Sequence, residues 1–402
     1  VTRSSAAPFL SPGADSEPDE PVFARRLIGR YQGGRPGPLV LAIGGLHGNE
    51  PAGVHALRRV FSRLEEARPP MRGEIVGLAG NLLALRAGVR FLRHDLNRCW
   101  HARRIADLRA GRLRAPEDEE QLRLLAAVEE AMSGHEEETF VLDLHTTSAD
   151  SVPFFTLGDT LRNRAFARRL ELPLVLGIEE RIEGALLELL SRRGPVTIGV
   201  EGGRHDDPRS VDYHEAVLWL ALVEAGCLAA EHVEGFEDRR RFLAAARSDL
   251  PRVFEVRARH AVTPRDGFVM RPGFANFQPV RQGEELARDV GGAVRAPEDG
   301  RIFLPLYQEL GDDGFFLVRA VRPFWLRFSA ALRRLRVDEL APLLPGVRRS
   351  RRRVDTLIVD RRIARWYVVE IFHLLGYRRE RTAPRSLVFT RRRHDRPGTG
   401  AR

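Results

Sequence analysis

Pro38-Leu-Val-Leu-Ala-Ile43 runs straight into Gly44-Gly-Leu-His-Gly-Asn-Glu-Pro-Ala-Gly53. An apolar run closed by glycine predicts a buried strand, and the glycines at 44, 45 and 48 predict a sharp turn after it. Pro51 stands where a helix can begin without losing a bonded N–H. Beyond it Val54, Leu57, Val60, Phe61 and Leu64 recur on one helical stripe. Strand, glycine-rich turn and amphipathic helix, in that order, open an α/β layered fold. The alternation continues, with strands expected at 74–79, 139–144, 172–178 and 196–200. Helices are expected from Pro116, where Glu117, Asp118, Glu119 and Glu120 crowd the positive end of the dipole, and over 212–225.

Ligands of such sheets bind beyond the carboxyl ends of the strands, which is where this reading puts His47, His145 and Glu201. His47 and Glu50 are three residues apart in the glycine-rich turn, and His145 ends the apolar run Phe140-Val-Leu-Asp-Leu144. A catalytic zinc takes about three N or O side-chain ligands and keeps a position for water, so these three are candidate ligands of one Zn2+ per chain. The plainer alternative makes His47 and Glu50 helix caps and His145 a satisfied core histidine. Asp143 precedes His145 by two and shares its strand face, so it either orients that ligand or is an ordinary buried polar residue. Glu201 closes Val196-Thr-Ile-Gly-Val200 and is followed by Gly202-Gly203, a suitable place for a general base.

His47-Gly-Asn-Glu50, Asp95-Leu-Asn-Arg98, Asp143-Leu-His145-Thr146 and Glu201-Gly-Gly203 occur in this order, each at the edge of an apolar run. Together they resemble the succinylglutamate desuccinylase/aspartoacylase family, part of the wider zinc carboxypeptidase-like group, over roughly residues 40–319. The resemblance implies a mixed sheet with helices on both faces, followed by a small all-β domain. It implies zinc on His47, Glu50 and His145, with Glu201 as the general base. It also implies that Asn97 and Arg98 hold a substrate carboxylate, and that Arg90, eight residues before Arg98, polarises the scissile carbonyl. The expected activity is deacylation of a small acidic N-acyl amino acid. A zinc carboxypeptidase or peptide amidase shares the same core and stays open. Arg192 or Arg193 is a loose candidate for reading the rest of the substrate, and His205 for touching it; His55, His94 and Cys99 are expected to be bystanders.

The rest of the chain bounds these readings. A length of 402 residues predicts more than one domain. The expected division is a disordered leader at 1–21, the α/β domain at 22–230, the β domain at 251–322 and an Arg-rich, partly helical extension at 323–402 with helices near 325–344 and 363–375. Lysine is absent and all 65 basic residues are Arg, which removes Walker-type and Schiff-base chemistry. There is no HExxH helix and no GxSxG elbow. Cys99 and Cys227 form no CxxC pair, and a reducing, cytoplasmic setting is the simplest expectation. No apolar run is long enough for a membrane span. From Val347 onward 17 Arg face 5 acids, against 48 Arg and 50 acids before it, so the positive charge belongs to the tail. A solvated helical extension is the expectation; a binding protein that uses this tail on nucleic acid or an acidic surface is the reading from another class. Every candidate catalytic residue precedes Gly203, so the chain beyond Leu344 is expected to be dispensable to the site.

Overall fold

The computed structural model describes residues 23–351, 353, 355–360, 362–363, 368–382, 386–391 and 394–395, and the expected leader lies outside them. The chain forms β1 (Leu27–Gln32), β2 (Arg35–Gly44), α1 (Ala52–Ala67), β3 (Arg72–Ala79) and α2 (Leu82–Ala87). Then come α3 (Ala102–Arg109), α4 (Pro116–Met132), β4 (Thr139–Thr147), β5 (Phe154–Leu157), α5 (Leu161–Ala167) and β6 (Leu174–Leu176). After these follow α6 (Leu186–Ser191), β7 (Val196–Arg204), α7 (Arg209–Glu224) and α8 (Phe236–Arg247). Strands β3, β2, β4 and β7 lie side by side in parallel. Parallel strands are covered on both faces, which is why β2 is an unbroken apolar run buried from Gly37 to Gly44. Its side chains still alternate. Val40 and Ala42 join the core with Leu57 and Val60 of α1 and Val217 of α7, while Leu39, Leu41 and Ile43 join Leu124 and Val128 of α4 and Leu186 of α6. The helix layers on the two faces hold the carboxyl ends of β2, β4 and β7 at one rim.

The next stretch supplies β8 (Val253–Ala261), β9 (Val269–Met270), β10 (Pro279–Val280), β11 (Glu285–Asp289), β12 (Gly292–Arg295), β13 (Gly300–Phe303) and β14 (Asp313–Ala320). It has its own core around Phe274, Leu286, Ile302 and Leu317. Four of its strands nevertheless extend the main sheet, because β8 pairs in parallel with the short β6. The result is an 11-stranded mixed sheet in the order β1-β3-β2-β4-β7-β5-β6-β8-β14-β13-β10, with β12-β11-β9 as a separate antiparallel sheet.

The tail is built differently from the helical extension its periodicity predicts. Helix α9 (Pro323–Arg334) stops well before residue 344, because Arg336 adopts a positive φ of 59° and Pro342 lies in the 3-10 turn Val337–Leu343. Beyond it β15 (Val347–Arg349), β16 (Thr356–Asp360), α10 (Val368–Leu374), β17 (Tyr377–Thr382) and β18 (Ser386–Arg391) form an antiparallel sheet in the order β15-β16-β18-β17, with α10 packed near it. Leu357, Val359 and Phe389 alternate inward onto Phe372 and Tyr377. This unit also docks on the body. Arg333, fully buried, donates to Asp159 Oδ2 at 2.8 Å and Asp395 Oδ1 at 3.1 Å. Arg378 pairs with Asp159 and with Glu180, and Asp395 accepts the Leu161 N–H at the start of α5. Cutting after Leu344 would remove Arg378 and Asp395 from beside Arg333, a loss that falls on the stability of the seam and touches none of the candidate site residues. Among the described residues no helix is long and apolar enough to cross a membrane.

Candidate metal centre

Gly45 takes a φ of 73°, and a side chain on Gly48 would fall within 2.1 Å of the Ala84 carbonyl, so the turn after β2 lies flat against α2. That turn brings Glu50 between two imidazoles. Glu50 Oε1 lies 2.9 Å from His47 Nδ1 and Glu50 Oε2 lies 2.9 Å from His145 Nδ1, with the Thr146 N–H donating to Oε2 at 3.1 Å. All three residues are buried, and their ligand atoms lie within 4.8 Å of one another. The far nitrogens are held as well. His47 Nε2 is 3.1 Å from Asp95 Oδ1, and His145 Nε2 is 2.9 Å from Asp143 Oδ2. Two imidazoles turned inward through Nδ1 and braced through Nε2 by carboxylates are the arrangement metal-binding histidines adopt.

Charge points the same way. Glu50, Asp95, Asp143 and Glu201 surround the rings, and the guanidinium in contact with them is that of Arg90, 3.3 Å from Glu50 and 3.0 Å from Asp95, with Arg98 adding a weaker pull on Asp95. Burial disfavours charge on Glu50, but the His47 and His145 imidazoles outweigh it and hold the carboxyl well below its usual range. Burial likewise opposes a charged His145, yet Asp143 and Glu50 raise that ring well above the ordinary histidine range. Asp95 is held low, against its burial, by His47 and Arg90. The cluster is short of positive charge, a deficit that protons on the rings or a divalent cation can fill. Its donors, two imidazole nitrogens and a carboxylate, suit zinc.

Strand register sets Glu201 directly beside His145. Its carboxyl is pushed up to about 8, chiefly by burial; His145 opposes this, and the charges of Glu50 and Asp143 add to it. Glu201 Oε2 is buried without a partner. The following Gly202 has no room for a side chain, which would come within 2.5 Å of the His214 ring. Burial pushes that histidine down to about 3, so it packs as a neutral ring.

These groups open into a cavity of about 190 Å³ that Arg98 and His205 also line. Arg98 Nε is buried without a partner, while its NH2 donates to Asp313 Oδ2 at 2.9 Å. Asp313 is shared with Arg259, at 2.5 Å. The Asn97 carboxamide is occupied: Oδ1 accepts the Leu186 N–H at 2.9 Å, and Nδ2 is 3.3 Å from His145 Nε2. His205 Nδ1 meets Thr146 Oγ1 at 2.7 Å. Arg192 and Arg193 pair with Glu188 and Glu129 and do not line the cavity. His94 is exposed, and half-buried His55 packs edge-on to Phe23. Burial raises the Cys99 thiol, whose sulfur donates to the Asp95 carbonyl.

Two features of the site are not evident from the sequence motifs. The motif that contains Asp95 gives it no role; its short local signal is a turn in which the carboxylate accepts the Asn97 N–H at 2.8 Å. The other is the cavity wall from Leu304 to Asp313, tied down where Asn49 donates to Gln308 at 3.1 Å and the Tyr307 N–H donates to Ser148 at 3.2 Å. That wall lies more than a hundred residues beyond Glu201 and carries no motif.

Residues 36–206 match the model of the succinylglutamate desuccinylase/aspartoacylase catalytic domain. A succinylglutamate desuccinylase of Pseudomonas putida (strain GB-1) is 30 % identical over 131 residues, which is 32 % of this chain and 37 % of that protein. The alignment thus spans little more than a third of that relative. Among solved structures, a succinylglutamate desuccinylase/aspartoacylase from Rhodobacter sphaeroides superposes with a TM-score of 0.54 at 21 % identity, over 73 % of this chain and 88 % of that one. The ectoine utilization protein EutE (DoeB) of Ruegeria pomeroyi does so with a TM-score of 0.52 at 21 % identity, over 72 % and 86 %. At these identities the likeness is one of fold.

Proposed function

The α/β domain of this chain belongs to the succinylglutamate desuccinylase/aspartoacylase family, and on that premise we propose that the protein is a zinc-dependent hydrolase cleaving the amide bond of a small N-acyl amino acid. One observation carries the reading: His47, Glu50 and His145 converge, each ring is braced by its own carboxylate, and unpartnered Glu201 stands beside them. The proposed division is a hydrolase domain at 22–230, a β domain at 251–322 and the extension at 323–402.

When bound, zinc supplies a Lewis acid for the scissile carbonyl and makes water a nucleophile near neutral pH. His47, Glu50 and His145 would hold it, with Asp95 and Asp143 fixing the orientation and tautomer of each imidazole. Glu201 accepts the proton of the attacking water at Oε2 and passes it to the leaving amine. Arg90 faces the developing oxyanion with its unpartnered Nε, while its other nitrogens stay on Glu50 and Asp95. Arg98 offers its unpartnered Nε to a substrate carboxylate. Asn97 contributes by fixing the start of α6, where its Oδ1 accepts the Leu186 N–H. A cavity of about 190 Å³, walled on one side by Leu304 and Asp313, supports a small acylated amino acid as the substrate.

The test is a screen of the zinc-loaded full chain against N-succinyl, N-acetyl and N-formyl amino acids beside short peptides. Release of the free amino acid from one of the acylated series is the expected result. Turnover confined to peptides would reassign the enzyme to the carboxypeptidase or amidase side of the same chemistry.

A further inference from the structure

Helix α9 packs Leu326 and Leu332 inward but turns its largest apolar side chains out to solvent. Its buried residues are Ser329 and Arg333, while Phe324, Trp325 and Phe328 are 64, 47 and 40 % exposed and Leu335, just past its end, is 76 % exposed. Positions 324, 328, 331 and 335 fall on one stripe at helical spacing. The three rings touch one another, with centroids 5.3, 6.0 and 6.2 Å apart. The turn that follows adds exposed Leu340, Leu343 and Leu344. The helix cannot roll over to hide this face, because Arg333 spends its donors inward on Asp159, Asp395 and the carbonyls of His373 and Leu374. A joined aromatic and aliphatic surface of this kind marks a place where something else binds.

Charge selects the occupant. Helix α9 contains no acid, and Arg327 and Arg334 lie about 60–80° round the helix from the stripe. Neither pairs with an acid among the described residues. Beneath the helix a second, apolar cleft is lined by Leu174, Leu176, Val253 and Leu326 together with exposed Arg168 and Arg334. Aromatic rings beside unpaired guanidiniums, next to an apolar cleft edged by guanidiniums, complement a surface that is anionic outside and apolar within. A second copy of the same face would instead set Arg against Arg with no acid on either helix to answer it.

We propose that the exposed face of α9 docks on an anionic lipid surface, with Phe324, Trp325 and Phe328 entering the headgroup level and Arg327 and Arg334 on the lipid phosphates. The hydrolase would then work at a membrane face without spanning it. This inference is independent of the proposed reaction.

Co-sedimentation of the full chain with vesicles tests it, using phosphatidylcholine alone and phosphatidylcholine mixed with phosphatidylglycerol. The expected result is binding to the mixed vesicles only, weakened by added salt. Phe324→Ser combined with Phe328→Ser should weaken binding by roughly tenfold or more, and each of Arg327→Gln and Arg334→Gln by about fivefold. These side chains are exposed, so the variants should keep the parent's circular dichroism and metal content. Absence of binding, equal binding to neutral vesicles, or binding undiminished in folded variants would overturn the proposal. So would a lipid-free dimer in analytical ultracentrifugation that the double Phe variant converts to monomer, since the face would then belong to a second copy.

Discussion

Two of the protein's buried charge clusters are built to opposite specifications. At the seam between the body and the tail, Asp159, Asp395 and Glu180 are met by Arg164, Arg333 and Arg378, and each of the five Arg333 donors has an acceptor. At the rim of the sheet, four carboxylates crowd two imidazoles around Arg90, and Arg98 is partly claimed by Asp313. The seam answers its acids with guanidiniums, although Asp395 Oδ2 stays unpartnered. The rim holds more acids than guanidiniums, and Glu201 Oε2 and Asp143 Oδ1 are buried there without partners. A network closed by matched charge holds two parts of a chain together, whereas one left open and short of cations has room for a cation that is not part of the chain.

The comparison breaks most visibly if the open cluster is not catalytic. Glu201→Gln keeps shape but cannot take a proton, so turnover should fall by about 10²–10⁴-fold with metal content unchanged by elemental analysis. Metal loss in that variant would make Glu201 a ligand and pass the role of base to Glu50. At the closed cluster Arg333→Met should leave Asp159 and Asp395 underpaired and cost about 3–5 kcal/mol of stability by denaturant unfolding. A midpoint unchanged from the parent would mean the seam is ornamental.

The seam also carries a pH signature. His373 bridges Glu180 and Glu255, and although burial disfavours its charge those two carboxylates push it up to about 9. A histidine raised on folding stabilises fully below its unfolded value near 6.5, and the contribution is lost as pH rises through about 9. The loss amounts to on the order of 3 kcal/mol. Thermal unfolding of the full chain should therefore weaken across that window, and His373→Gln should flatten the slope there. The smallest expected effect lies back at the open cluster. Asp95→Asn removes the charge that orients His47 and should lower metal affinity by about 10–100-fold in a chelator competition. An affinity equal to the parent's would show that Asp95 serves Arg90 rather than the ligand.

What could be read early was local. His47 and Glu50 share one turn, and Asp143 and His145 share one strand face, so spacing alone proposes their partnership. The strands β2, β4 and β7 were legible because parallel strands covered on both sides are apolar runs. The weaker elements were not. Strand β5 has four residues, and the expected strand at 172–178 shrinks to Leu174–Leu176, since only three residues find partners between β5 and β8. The tail sheet was not legible because its strands are short and their inward residues, Leu357 and Val359 on β16 and Leu387 and Phe389 on β18, are too few to outweigh the helical pattern nearby.

The sequence by itself determined the α/β order of the first half, the identity of the three residues that converge and the carboxylate that follows them. Each rests on neighbours a few residues apart or on a strand buried on both faces, and such constraints are written in residue type. Tertiary structure alone decided that Asp95 braces His47, that Asp313 reaches Arg98 across the cavity, that Arg333 is a core residue and that the aromatic face of α9 looks outward. Those outcomes depend on which distant charges meet and whether they balance, and balance is a property of the assembled arrangement that no single stretch of chain contains.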